Sequence, residues 1–410
     1  MRVAVVAGPD PGHALPAIGV AGALVRRGHT VAIYTGQEHA QTARAHGVTP
    51  YALPTIERAA PPPQGFGERL ADVAVGLTEP LVRAWHRDPP DVVVVDTLVR
   101  GGGFAAQLCD RPWVELIGHH LPDPDLSLPP VGLGRPYPRT PWRRADDRRL
   151  VTRQRRSVAQ GSCEHRQAAA AVGLSEPAAP VVRLVATVPS LERPRSVWPG
   201  NAHVVGALAV DPVGAPLPPP DGTAPLVVVT DSTATGVGGT LGALAVTALH
   251  GCDLRVVVTS GDLPARRGPA VVVGEGPHGP LLAAADVAVC HGGGGFLSKA
   301  AAAGVPTVIV PRQGDQREAA ARWRDVGAGR VLRGGRLSGR RLRWAVARLL
   351  VDQDAAAAAG RLAAEASQLG RDCAAWLVEA AASGAAPRAT GRGHHLDVPS
   401  APAAEPVSSC

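Results

Sequence analysis

Aromatic side chains are nearly missing: Phe, Tyr and Trp together make up 3% of the 410 residues, with three Phe and three Tyr. Without aromatics interleaved among cations there is no platform on which unpaired bases could stack, so a nucleic-acid binder is excluded. Lysine is scarcer still. Lys299 is the only one, so the formal charge of +7 is carried by arginine, a bias that points to base composition rather than to a binding face. The six cysteines, at 109, 163, 252, 290, 373 and 410, form no CxxC pair, which excludes a small disulfide scaffold and implies a reduced chain without structural disulfides. No apolar run reaches 18 residues and no charged leader precedes an apolar stretch. The expectation is therefore a cytoplasmic protein that does not span a membrane.

What the chain has is a composition 45% apolar, with 48 Gly and 40 Pro, enough for a large core, many short loops and two domains. A Val-rich run from Arg2 to Ala7 breaks at Gly8-Pro-Asp-Pro-Gly-His13 and is followed by helical spacing from Ala14 to Arg27, then by the strand-like Thr30 to Tyr34. This is a βαβ unit with an expected right-handed crossover. Asp91-Val-Val-Val-Val-Asp96, the helical Gly103 to Cys109, and Pro112 to Ile117 continue the rhythm. The fold class is thus α/β, two Rossmann-like doubly wound parallel sheets facing across a cleft. From about 121 to 165 the pattern dissolves into Pro- and Arg-rich sequence with nine arginines from Arg135 to Arg156, read as a long loop leading into a helix. Pro218-Pro219-Pro220 marks 211–225 as a linker. Beyond it the strands restart at Leu226, Leu254, Ala270, Val287 and Thr307, and Ala355 to Ser383 reads as helical. The expected boundaries are 1–210, 211–225 and 226–384, with a disordered tail at 385–410.

Ligands of such sheets bind beyond the carboxyl ends of the strands, so the residues just after strands carry the chemistry. Cys290-His291-Gly292-Gly293-Gly294-Gly295-Phe296 follows one strand and opens a helix; backbone N–H groups there can close on an anion, and a histidine at the mouth can donate to a phosphoryl oxygen. His13 follows the first strand, where it can act as a general base, and Asp96 ends a strand of the same sheet, where its carboxylate can fix the imidazole. Asp315 and Gln316, again after a strand, offer groups that bind hydroxyls. Gly274-Glu-Gly276-Pro-His-Gly279 matches GxGxxG, but Pro277 and the lack of a following acidic residue argue against a dinucleotide site. Asp123-Pro-Asp125 has no supporting metal-ligand cluster.

With these residues in place, the sequence resembles the GT-B glycosyltransferases of the nucleotide-sugar-dependent family 1, closest to the actinobacterial antibiotic glycosyltransferases. The resemblance runs over about residues 1 to 350, through Gly12-His13, Asp91 to Asp96, Trp198-Pro to Val205-Gly206, and His291 through Gly304-Val-Pro306 to Asp315-Gln316 and Gly327-Ala-Gly329. It implies an acceptor-binding first domain and a nucleotide-sugar-binding second domain. It further implies His13 as catalytic base and Asp96 as its partner, with His291 and Gly292 to Gly295 as the diphosphate site. Asp315 and Gln316 would be donor-sugar contacts, and Lys299 stands near the nucleotide where many members have a ribose-binding Glu.

The function expected is an inverting, metal-independent transfer of a sugar from a UDP- or dTDP-sugar, a co-substrate rather than a cofactor, to a hydroxyl of a small-molecule or lipid acceptor. The alternatives are a catalytically silent homologue that binds a nucleotide or partner protein, and a nicotinamide oxidoreductase. Two readings of Arg135 to Arg156 stay open: peripheral membrane contact, which would attract an anionic or membrane-associated acceptor, and a solvated charged helix.

Overall fold

A computed structural model describes residues 1–52, 65–231, 240–312 and 314–389. Two seven-stranded sheets carry it. The first runs in the order β3-β2-β1-β4-β5-β6-β7, built from β1 (Arg2–Val6), β2 (Thr30–Thr35), β3 (Thr49–Ala52), β4 (Val92–Asp96), β5 (Trp113–Ile117), β6 (Val182–Val185) and β7 (Ala202–Val204). All its pairings are parallel. The second runs β10-β11-β9-β8-β12-β13-β14, from β8 (Leu226–Thr230), β9 (Arg255–Thr259), β10 (Arg266–Arg267), β11 (Val271–Gly274), β12 (Val287–Cys290), β13 (Thr307–Ile309) and β14 (Gly329–Val331). Among the described residues, only its edge pair β10–β11 is antiparallel. The unbroken valine runs follow from this arrangement. With helices on both faces every position of a central strand is dry, so Val92 to Val95 and Val227 to Val229 are all fully buried and alternation with polar residues disappears.

Helices fill the two faces: α1 (Pro11–Arg26), α2 (Ala40–Ala45), α3 (Phe66–Arg87), α4 (Gly101–Leu108) and α5 (Pro141–Ala171) in the first half; α6 (Thr240–Leu249), α7 (Gly279–Ala284), α8 (Gly294–Ala303), α9 (Gly314–Val326), α10 (Gly339–Leu350), α11 (Gln353–Gln368) and α12 (Arg371–Ala382) in the second. The stretch read as one helix from Ala355 to Ser383 is two, because Gly370 sits at φ +116 between α11 and α12, a conformation open to glycine. That turn sends α12 back across the molecule. Its Cys373, Ala374, Leu377, Val378 and Ala381 join the core of the first sheet, beside Ile18 and Leu24 of α1, and Glu379 receives hydrogen bonds from two Arg27 nitrogens, Nε and Nη2, at 2.6 and 2.7 Å. The last helix therefore packs with residues 1–210, although it follows the second sheet in the chain. The expected tail falls mostly on 390–410, outside the described residues.

The Arg-rich stretch begins in the loop before α5 and runs along that helix. Arg135 pairs with Asp146 and Asp147, and the remaining arginines up to Arg156 are exposed with no apolar stripe beside them, the pattern of a solvated charged helix. No described helix is long and apolar enough to cross a membrane.

Candidate functional site

In each sheet one central strand has neighbours reached by chain connections of opposite sense, and the crevice at that switch point is where open α/β sheets bind ligands. In the first sheet the strands are β1 and β4, paired with Val6 opposite Val95. The register brings the residues just beyond Val6 alongside Asp96. His13, on the first turn of α1, accordingly places Nδ1 2.7 Å from Asp96 Oδ1. A carboxylate only accepts, so Nδ1 carries the hydrogen and Nε2 of the neutral ring is the free lone pair. Asp96 is buried to 1% exposure, while the His13 side chain is 19% exposed. Burial alone would lower the His13 pKa, but the hydrogen bond and charge of Asp96, with the nearby charges of Asp10 and Asp315, carry it above the usual 6.5.

In the second sheet the switch lies between β8 and β12. The residues beyond them, Asp231 and His291, are again an acid and an imidazole, with His291 Nε2 3.9 Å from Asp231 Oδ1. His291 Nδ1 donates to the Val310 carbonyl at 2.9 Å, which leaves the buried Nε2 without a hydrogen-bond partner among the described residues. The glycine run then turns into α8. Gly292 adopts φ +92, and a Cβ there would lie 3.0 Å from Ile309 and 3.2 Å from the Gln316 carbonyl oxygen, whereas Gly293 and Gly295 face open space. The N–H groups at the head of α8 have no partners within the helix, and with the helix dipole they form an anion cradle.

The two halves meet at glycines. A Cβ on Gly118 would come within 3.1 Å of the Gly12 carbonyl oxygen, and one on Gly294 within 3.2 Å of the Gly118 carbonyl oxygen. The loop after β5 thus touches both the His13 turn and the head of α8. Beside it lies a mainly apolar cavity of about 270 Å³, lined by Gly118 to His120 and Gly132 from the first half and by Gly292, Gly294 and Asp315 from the second.

Two of the residues singled out in the sequence have partners within the protein. Lys299 does not face this cavity: its ammonium lies 2.6 Å from Asp211 Oδ1, and Asp211, whose carboxyl burial would push up and the lysine charge pulls down, also accepts from the backbone of Gly279 at the head of α7. Spacing along α8 fixed the turn on which Lys299 stands, but not that the linker would supply a counter-ion on that side. Gln316 is 5% exposed and its side-chain oxygen accepts from the Arg312 backbone at 3.0 Å, so that oxygen ties the loop after β13, whereas Asp315 is exposed at the cavity. The GxGxxG match opens only the six-residue α7. Asp123 is taken up by Arg183 and Asp125 by Ser127 and Ser196.

Sequence reasoning passed over a buried charge cluster behind the cavity. Arg322 of α9 donates Nη1 to Glu192 at 2.8 Å and Nε to Glu318 at 2.9 Å. Arg193 reaches Glu318 at 3.3 Å and Asp325 at 2.6 Å. Glu192, in turn, accepts from the Leu121 backbone at 2.8 Å, and Glu318 from the Gly132 backbone at 3.2 Å. The side chains of Glu192 and Arg322 are 0% and 1% exposed. Burial would raise the Glu192 carboxyl, but the Arg322 charge, helped by His120 and the Leu121 amide, holds it at about 2. Burial and the same arginine push His120 down, toward the neutral form. The only local signal was the i,i+4 pair Glu318–Arg322, a spacing usually found on solvated helix faces.

Residues 245–377 match the family described as erythromycin biosynthesis protein CIII-like, C-terminal domain. Over 388 residues the chain is 30% identical to the 4'-demethylrebeccamycin synthase of Lentzea aerocolonigenes, covering 85% of this chain and 91% of that one. Among solved structures, the glycosyltransferase of kitacinnamycin is similar with a TM-score of 0.71 at 22% identity, over 93% of this chain and 98% of the other. The glycosyltransferase VinC in complex with dTDP gives 0.68 at 22% identity, over 93% and 100%. At that identity the two structures speak for the fold.

Proposed function

The chain belongs to the GT-B glycosyltransferases of the antibiotic type, and from that premise we propose that it transfers a sugar from a nucleoside diphosphate to an acceptor hydroxyl with inversion. The observation that carries this reading is the His13–Asp96 pair set across the cleft from the glycine head of α8. Nε2 of His13 takes the hydroxyl proton as the acceptor oxygen bonds to the anomeric carbon; the bond from that carbon to the diphosphate breaks on the opposite face, and its electron pair leaves with the diphosphate. Asp96 holds the ring and stabilises the imidazolium. The N–H groups of Gly293 to Gly295 receive the negative charge that builds up on the leaving group. His291 can add a hydrogen bond only when Nε2 is protonated, since Nδ1–H is committed to Val310. On this reading Asp315, which lines the cavity, contacts sugar hydroxyls. The acceptor meets the wall from Gly118 to His120 and Gly132, within a largely apolar cavity that suits a small hydrophobic molecule.

A dTDP donor fits position 299. A lysine paired with Asp211 offers no acceptor for a ribose 2'-hydroxyl, which dTDP lacks, and VinC was crystallised with dTDP. UDP-sugars remain substrates on this reading, with little discrimination between the two bases.

The direct test is transfer from radiolabelled dTDP- and UDP-glucose to a panel of hydroxylated aromatic acceptors; release of nucleoside diphosphate without any glycosylated product across the panel would count against it. Because the anion cradle consists of backbone donors and a helix end, activity should persist after dialysis against EDTA. Loss on chelation and recovery with magnesium would mean that the diphosphate needs a cation here.

The pH profile follows from Asp96. The base must be unprotonated and its pKa is raised, so kcat/KM should climb along a limb centred above 6.5, the usual imidazole value. Asp96→Asn removes the main raising influences and leaves burial in place. The limb should move to lower pH while the plateau rate drops by roughly two orders of magnitude or more, as the ring loses its fixed tautomer. An unmoved limb would mean that another group sets it.

A further inference from the structure

The buried cluster behind the cavity joins the two halves of the site. Asp315, Glu318, Arg322 and Asp325 recur at i, i+3, i+7 and i+10 along α9, which sets them on one side of the helix within a narrow arc. The first of them lies at the cavity. The next three are held from the first domain: Glu318 by the Gly132 backbone and Arg193, Arg322 by Glu192 and the Leu191 carbonyl, Asp325 by Arg193. Glu192 passes the contact on to the Leu121 backbone, which follows His119 and His120, and Arg193 passes it on to the Arg135 carbonyl, three residues beyond Gly132. Of the two loops that form the acceptor wall, the one at Gly132 is hydrogen-bonded directly to the helix whose first turn carries the donor-side carboxylate, and the one at Leu121 is tied to it through Glu192.

Charge makes this register strict. Glu318 lies between the buried Arg193 and Arg322, and Glu192 pairs with Arg322, so α9 cannot shift against the first domain without leaving the buried Glu192 unpaired, a cost that apolar packing does not impose. The guanidinium of Arg322 serves Glu318, Glu192 and a backbone carbonyl at once, a fork that the single nitrogen of lysine cannot reproduce.

We propose that Glu318 and Arg322 are positioning residues, which lock the first turn of α9 to the acceptor wall so that Asp315 and the acceptor hydroxyl are presented to the same anomeric carbon. The inference rests on the transferase reading for its kinetic part and on the hydrogen-bond network alone for its structural part.

The test uses the full chain with Glu318→Gln and Arg322→Lys. Glu318→Gln keeps the volume and an oxygen for Gly132 but removes the charge; Arg322→Lys keeps the charge but loses the fork. In hydrogen–deuterium exchange of the nucleotide-free protein, both variants should exchange faster in 314–320, 118–121 and 131–135, with β8 and β12 unchanged. In kinetics, kcat should fall by about tenfold to a hundredfold, the scale on which misplacement of reacting groups is felt. Calorimetric affinity for dTDP alone should stay within about threefold, because the head of α8 is untouched. A cluster that only stabilises the fold would lower Tm and leave kcat as in the wild type. Wild-type kcat in both variants, or faster exchange spread evenly over both sheets, overturns the proposal. A wild-type chain without transfer from any nucleotide sugar overturns the transferase reading instead, and the exchange pattern still decides the network.

Discussion

Replacing His13 by alanine should lower kcat by roughly two to four orders of magnitude, the usual contribution of a positioned general base, while dTDP should bind nearly as before. The two effects separate because His13 stands on the first turn of α1 in one domain, whereas the diphosphate cradle is the head of α8 in the other. In the proposed mechanism the ring contributes its Nε2 lone pair to the acceptor proton, and it makes a hydrogen bond to Asp96; the methyl group of an alanine supplies neither. The side chain is part-exposed and alanine is compatible with a first helical turn, so the fold has little reason to change. Turnover under saturating donor and acceptor, with dTDP calorimetry alongside, measures both parts. Equal loss of turnover and dTDP affinity would mean that the substitution disturbs the cleft as a whole.

Gly292→Val should have the opposite signature, with dTDP affinity falling by about two orders of magnitude and turnover lost with it. At φ +92 a β-branched residue is strained by roughly 1–3 kcal/mol, and its Cβ would crowd Ile309 and the Gln316 carbonyl. Both neighbours are fixed, the first in a buried strand and the second in the backbone of α9. The loop itself must therefore move, and with it the N–H groups of Gly293 to Gly295 that form the cradle. Titration calorimetry of dTDP, with thermal melting to verify folding, gives the answer; wild-type affinity would place the diphosphate elsewhere.

The architecture was legible where strands are long and doubly covered. Val92 to Val95 and Leu226 to Thr230 are runs that only a buried parallel strand explains, and His13, Asp96 and His291 were found because the residues after such strands converge at the switch point. Three-residue strands such as Ala202–Val204 and Gly329–Val331 are too short to show a period. The return of α12 to the first sheet depends on one glycine turn at Gly370 and on which apolar face is left open, neither of which is a local property. The unforeseen partner of Lys299 and the missed Glu192, Arg193, Glu318 and Arg322 share one cause. Helical spacing tells which residues share a face, but the partner that neutralises a charge, Asp211 for Lys299 or Glu192 for Arg322, comes from far along the chain.

Transfer with inversion at the anomeric carbon, with His13 as the base, is the central proposal. Its most direct measurement is the anomeric configuration of the product made from an α-configured dTDP-glucose, read from the coupling of the anomeric proton by NMR, with wild type and His13→Ala run side by side. A β-linked glycoside is expected from the wild type, and hardly any product from the variant over the same time. An α-linked product, or a variant that forms glycoside at the wild-type rate, would contradict it.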